Sequence, residues 1–245
     1  MGNKYFKGSK QSESTSRKLV RCFSDEMSAK DAAQKCGLSE RAVSTHFREF
    51  RNRIAEHGDP DRQLVEHVQV VIVPLASARL EKSTEESAPS KARILVMTQV
   101  GGRVCIDLIP DKTGVSIRAS LEKYVHKSAT IYTNKHQCFA GVKAWGFKKH
   151  VVGKGGLPKL PEQSGDSSAT RNYWWFWRKT QSMRKKAFGI PSKFLFDFFK
   201  ESAFRWSHSS QGIYKPLLRI LESHPLIRIY PETKRKFVIP KENPS

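Results

Sequence analysis

Carboxylates are scarce in this sequence: 23 Asp and Glu stand against 44 Lys and Arg, a formal charge of +21 over 245 residues. An excess of that size implies a polyanionic partner, nucleic acid by default, unless acidic protein surfaces or lipid headgroups are the target. Cysteine is sparse as well. Cys22, Cys36, Cys105 and Cys138 form no C-x-x-C pair and have no His at zinc spacing, so neither a disulfide framework nor a zinc site is suggested. They read as reduced, cytosolic thiols. No apolar run approaches the roughly 20 residues needed to cross a bilayer, and the N-terminus lacks the apolar stretch of a signal peptide. The expectation is a cytoplasmic, nucleoid-associated protein with no membrane partner. Met1-Gly2 suggests myristoylation only until the sixth position, which holds Phe6 where that motif wants Ser or Thr.

What is present is enough apolar residue, 38% of the chain, to bury a real core. At about 100 to 200 residues per domain, the length suggests one larger domain and a small one. "RKLVRCF", "SAKDAAQKC" and "ERAVSTHFREFRNRI" read as three short helices, the last two separated by a tight turn at Gly37. That is helix-turn-helix spacing. Ser28, with Asp31 three residues on, can cap the second helix, and Ser39 the third. Val43, Phe47, Phe50 and Ile54 recur at helical spacing and are expected inside. Arg41, Ser44, Thr45 and Arg48 are left outside, where the start of a recognition helix meets bases and phosphates in the major groove. An ordinary three-helix bundle with a solvated basic face would show the same pattern.

Beyond the polar bend "EHGDPDRQ" the period changes. "HVQVVIVPLA", "RILVMTQV" and "GRVCIDLIPD" read as strands, the first two nearly continuous and apolar as buried strands are. "SIRASLEKYVHK" is an amphipathic helix, "ATIYTN" a strand, "HQCFAGVKAWG" a helix and "FKKHVV" a last short strand. A Gly/Pro/Ser loop follows. Then come the aromatic stretch "RNYWWFWRKTQ" (171–181) and the helices "SKFLFDFFKESAFRW" and "YKPLLRILES". Three strands, alternating helix and strand, then helices is the order of an α/β domain of ribonuclease-H-like type with a mixed central sheet. The expected division is 1–60 for an all-α helix-turn-helix domain and 66–245 for the α/β domain with its C-terminal helices.

Fragments along nearly the whole chain, "YFKGS", "AAQKCGLSERAVS", "VGGRVCIDLIPD", "GFKKHVV", Phe176-Trp177, "GIP", "KESAFR" and "YKPLLRILESHPL", together resemble insertion-sequence transposases with an ISXO-type DDE domain, the IS-fifteen-ninety-five group. The resemblance implies a helix-turn-helix that reads element ends and a catalytic domain that breaks and joins phosphodiesters. That chemistry uses two divalent ions held by converging carboxylates, and magnesium prefers oxygen ligands.

Residue by residue, that requirement is not met. The family's first-strand pattern, valine-glutamate-valine-aspartate-glutamate, falls on Val68, Gln69, Val70, Val71 and Ile72, so Val71 stands at the catalytic aspartate position and Ile72 beside it. The second aspartate falls on Asn134, followed by cationic Lys135. Counted back from Phe176-Trp177, the family asparagine falls on Arg171 and its glutamate on Trp174. Gln181 replaces a family lysine. No catalytic residue, metal ligand or cofactor is assigned. Asp107, Asp111, Glu162, Asp166 and Glu201 remain as acids onto which a site would have to move. "GKGGLP" at 153–158 lacks the order of a phosphate-binding loop.

In the aromatic helix, Trp174, Trp177, Gln181 and Arg184 share one face by spacing. Its rings either pack on the sheet, each worth roughly 1.5 to 3 kcal/mol when buried, or present Trp174 or Tyr173 to an unpaired base. In the second case Arg171, Arg178, Lys179, Arg184, Lys185 and Lys186 would lie on phosphates. The leading expectation is a double-stranded-DNA-binding protein descended from such a transposase, without strand transfer and with no small-molecule substrate; a homodimer is left open. Its rivals are an active transposase with a relocated metal site and a basic scaffold for RNA or a protein.

Overall fold

The computed structural model describes residues 3–8, 11–59, 62–74, 93–158, 173–186 and 194–227, with the backbone alone at Pro74, Trp175 and 181–186. In chain order its first elements are β1 (Phe6–Lys7), α1 (Glu13–Ser24), α2 (Ala29–Cys36) and α3 (Glu40–His57). Next come β2 (His67–Pro74), β3 (Arg93–Gln99), β4 (Val104–Ile109), α4 (Gly114–Tyr124), β5 (Thr130–Asn134) and β6 (Lys149–Gly153). The last are α5 (Tyr173–Lys186), α6 (Leu195–Ser207), α7 (Tyr214–Ser223) and β7 (Leu226–Ile227). They fall into two compact units, 1–59 with 208–245 and 60–207.

In the first unit the helix starts are set by hydroxyl caps that satisfy orphan N–H groups of the first turn. Ser12 accepts from Thr15 N–H at 3.1 Å, Ser28 from Asp31 at 3.1 Å and Ser39 from Ala42 at 3.2 Å. Helix α2 ends on Gly37 at φ 65°, a left-handed C-cap that a side chain would strain. Phe23 of α1 meets Phe47 and Phe50 of α3 edge-on, at 5.2 and 5.4 Å between ring centroids. Val43, Phe47, Phe50 and Ile54 are buried, as the 3.6-residue period requires.

Two features of this unit escaped the sequence. Strand β1 pairs in parallel with β7, Phe6 opposite Leu226. Helix α7 buries Leu217 and Leu221 and packs on α1 and α3. The division drawn from sequence put residues 208–227 with the sheet; their contacts are instead made within the first unit. The reason is long range: only the fold brings the apolar stripe of α7 to the helices near the start of the chain.

The second unit is built on a five-stranded mixed sheet in the order β4-β3-β2-β5-β6. Strands β2, β3 and β4 are antiparallel neighbours, while β2, β5 and β6 run parallel. This mixed α/β arrangement is compatible with a ribonuclease-H-like domain. Side chains alternate across a strand, so the sheet has two apolar faces. One, with Val68, Val70, Leu95, Met97 and Ile131, packs with Ile117 and Leu121 of α4. The other, with Val73, Ile94, Val96, Val104 and Ile106, packs with Tyr173 and Phe176 of α5 and with Phe198 and Phe199 of α6.

The helix expected at "HQCFAGVKAWG" is replaced by a 3-10 turn at Gln137–Phe139 and further turns. Its bonds run three residues back, Phe139 N to His136 O and Val142 N to Phe139 O. Cys138, Phe139 and Val142 are buried this way without a full helix. The Trp145 indole lies across Gly141, 2.6 Å from where a Cβ would stand, so only glycine fits there. Among the described residues, no helix is long and apolar enough to cross a membrane.

Candidate functional site

The positions named by the family pattern gather at one end of β2 and β5. These strands pair His67 with Thr130, Val68 with Ile131 and Gln69 with Tyr132; the same offset, carried two residues on, brings Val71 level with Asn134. Val71 packs against the cluster of Val73, Val96, Tyr173 and Phe176 on the α5 side. Ile72, next in the strand, packs on the opposite face with the α4 cluster. Asn134 and Lys135 are exposed.

Helix α5 docks through a stripe at helical spacing. Tyr173, Phe176 and Thr180 are buried, and Trp177 is half-buried, stacked on Phe199 at 5.7 Å and on Tyr173 at 6.1 Å. Burial pushes the Tyr173 phenol up to about 12. Tyr173 is therefore a core ring, which removes it as a base-stacking candidate. Trp174 turns the other way and is 60% exposed, and Arg178 and Lys179 are exposed too. Gln181, Arg184, Lys185 and Lys186 lie on α5, but their side chains, like the whole of Arg171, lie outside the described residues.

Gln69 is the residue whose part sequence reasoning missed. It is 2% exposed. Its Nε2 donates to the Pro158 carbonyl at 2.8 Å, and its Oε1 accepts from the Tyr173 N–H at 3.2 Å. The signal was available: an amide inside "VQVVIV" must find partners or lose the cost of desolvation.

The described acids that a relocated site would draw on are engaged elsewhere. Asp107 accepts from Ser120 Oγ of α4 at 2.7 Å, across the sheet from Val71. Asp111 accepts from the Thr113 hydroxyl at 2.7 Å and from its N–H at 2.8 Å, which holds its carboxyl below the usual range. Glu201 is buried in an ion pair with Arg205 at 2.7 Å. Glu162 and Asp166 lie outside the described residues. Among the described residues, no three His, Cys, Asp or Glu side chains are grouped so as to hold a metal ion.

On α3, Arg41, Ser44, Thr45 and Arg48 are all exposed. Thr45 Oγ1 donates back to the Arg41 carbonyl at 2.9 Å, and Arg48 stands 3.9 Å from Glu49. The four occupy one outward face.

Residues 64–207 match the ISXO2-like transposase domain. The chain belongs to that family. No curated protein matches the chain. Within this transposase family the implied group is a pair of divalent ions, and hard cations of that kind want several oxygen ligands. Of the described residues that the sequence comparison sets at those positions, Val71 and Ile72 lie against two apolar clusters, Trp174 offers an indole and Asn134 a neutral amide, a set that does not fit such ions.

Proposed function

We propose that this transposase-family chain binds double-stranded DNA through its helix-turn-helix and does not carry out strand transfer. The observation that supports the silence is Val71: where the fold would bring a first carboxylate level with a second, an isopropyl group packs against the apolar cluster that holds Phe176 and Tyr173. The support for binding is the charge of +21 together with Arg41, Ser44, Thr45 and Arg48 exposed on α3. Neutralised phosphates supply a salt-sensitive affinity that needs no chemistry. Lys135, Arg178 and Lys179, exposed on the second unit, add to the positive surface. The task that fits is end binding or regulation.

The test is a labelled duplex carrying the DNA that flanks the gene, incubated with the full chain and magnesium or manganese. A shifted band in a native gel and intact strands in a denaturing gel are expected. Metal-dependent nicks would overturn the silent reading. An unshifted duplex would overturn the binding one.

A further inference from the structure

Helices α1, α2 and α7 border an open surface cavity of about 470 Å3, lined by Ser14, Arg17, Lys18, Arg21, Lys35 and Tyr214. Four of these side chains are cations, and Glu13 is the one acid in the lining. Glu13 stands 3.9 Å from Arg17 and accepts from the Lys4 N–H at 3.4 Å. Among the described residues Lys18 and Arg21 have no ion pair, and the Lys35 ammonium has only the Met27 sulfur at 4.0 Å. Arg17 and Arg21 are four residues apart on one helix face, a like-charge pair that costs the helix stability unless an anion lies between.

Arg21 is also held in place. Its guanidinium lies over the Tyr214 ring, 3.7 Å from the centroid. A guanidinium stacked by its face keeps its N–H fork in plane and available, and that fork matches two phosphate oxygens. Tyr214 opens α7, and the cap residue Ile213 makes no side-chain bond to the first turn. Its orphan N–H groups add to the positive end of the helix. α1, α2 and α3, by contrast, are each capped by serine.

We propose that this cavity is a phosphate-binding site that grips the backbone of duplex DNA, separate from the outward face of α3. The inference rests on the reading that the first unit binds duplex DNA. It assigns a function to α7, which sequence reasoning had attached to the sheet. A backbone grip carries no sequence information; it sets register and adds affinity.

The experiment measures anisotropy of a labelled duplex with the full chain, from about 50 to 200 mM salt. Lys18→Gln/Arg21→Gln is compared with Arg41→Ala/Arg48→Ala. Each phosphate contact contributes about 0.9 to the slope of log affinity against log salt. The cavity pair should therefore lower the slope by about 1.8, and its deficit relative to the wild type should shrink about 12-fold across that range. The loss should be equal on two unrelated sequences. Should the pair fail to fold, Lys18→Gln alone should lower the slope by about 0.9.

If the cavity pair leaves affinity and slope unchanged while the α3 pair weakens binding, the cavity proposal falls and the α3 reading stands. If neither pair matters, both fall. A loss confined to one sequence would also overturn it. So would inorganic pyrophosphate binding that the cavity pair abolishes with DNA affinity untouched, since the ligand would then be a free phosphate.

Discussion

The Gln69 carboxamide of β2 holds the first residue of α5: Tyr173 N–H donates to its Oε1 at 3.2 Å while its Nε2 donates to the Pro158 carbonyl at 2.8 Å. A carboxylate could accept the first bond but could not make the second. The amide thus joins the strand, the segment after β6 and the aromatic helix.

Gln69→Leu should destabilise the second unit by about 2 to 6 kcal/mol, because it leaves the Tyr173 N–H and the Pro158 carbonyl without their partner at roughly 1 to 3 kcal/mol each. Gln69→Glu should cost at least as much through a desolvated charge facing a carbonyl. Urea denaturation of both variants checks the order. A neutral Gln69→Glu would show that the two bonds are not what holds α5.

Val71→Asp places a carboxylate among Val73, Val96 and Phe176. Val71 is half-buried, so the expected result is a loss of about 1 to 3 kcal/mol from partial desolvation of the carboxylate, with no gain in manganese affinity by calorimetry. Tight ion binding by this single variant would mean that further ligands already stand ready.

Two rings of α5 separate packing from contact. Phe176→Ala should cost about 3 to 5 kcal/mol, as for other buried phenylalanines. Trp174→Ala, at an exposed site, should cost less than about 1 kcal/mol while weakening single-stranded DNA binding by about 1 to 3 kcal/mol if its indole carries one base. Thermal melts and a fluorescence titration on a short oligonucleotide read the two effects apart.

His46 supplies a pH dependence with a defined sign. Its ring meets Phe6 edge-on at 4.9 Å and lies 3.2 Å from Gln11 Nε2, and burial lowers its pKa below the ordinary 6.5. The unfolded chain therefore takes up the proton first. The stability this His contributes is present above about pH 6.5 and is lost as pH falls through the folded value. Melting temperature should drop between pH 7 and 5, and His46→Gln should flatten that part of the profile.

Local patterns carried the sequence reading where local physics decides the outcome. Ser28 and Ser39 cap the helices their spacing predicts, and Phe47, Phe50 and Ile54 lie inside. Strands β2 to β6 follow from apolar runs. What stayed hidden was non-local: β1 finds β7 across most of the chain, and α7 turns to α1 and α3. Composition cannot signal such pairings. At the sheet end, the spacing that grouped Trp174 with Trp177 missed that the docked stripe is Tyr173, Phe176 and Thr180, because "YWWFW" is apolar on every side and the choice of face is made by the sheet.

The central claim is that the sheet end where this family gathers carboxylates cannot hold the ions of strand transfer. Crystals of the chain soaked in manganese, with anomalous diffraction, test it most directly. The account predicts no anomalous peak within coordination distance of Val71, Asn134 or Trp174. A peak there, ringed by three acidic side chains, would contradict it.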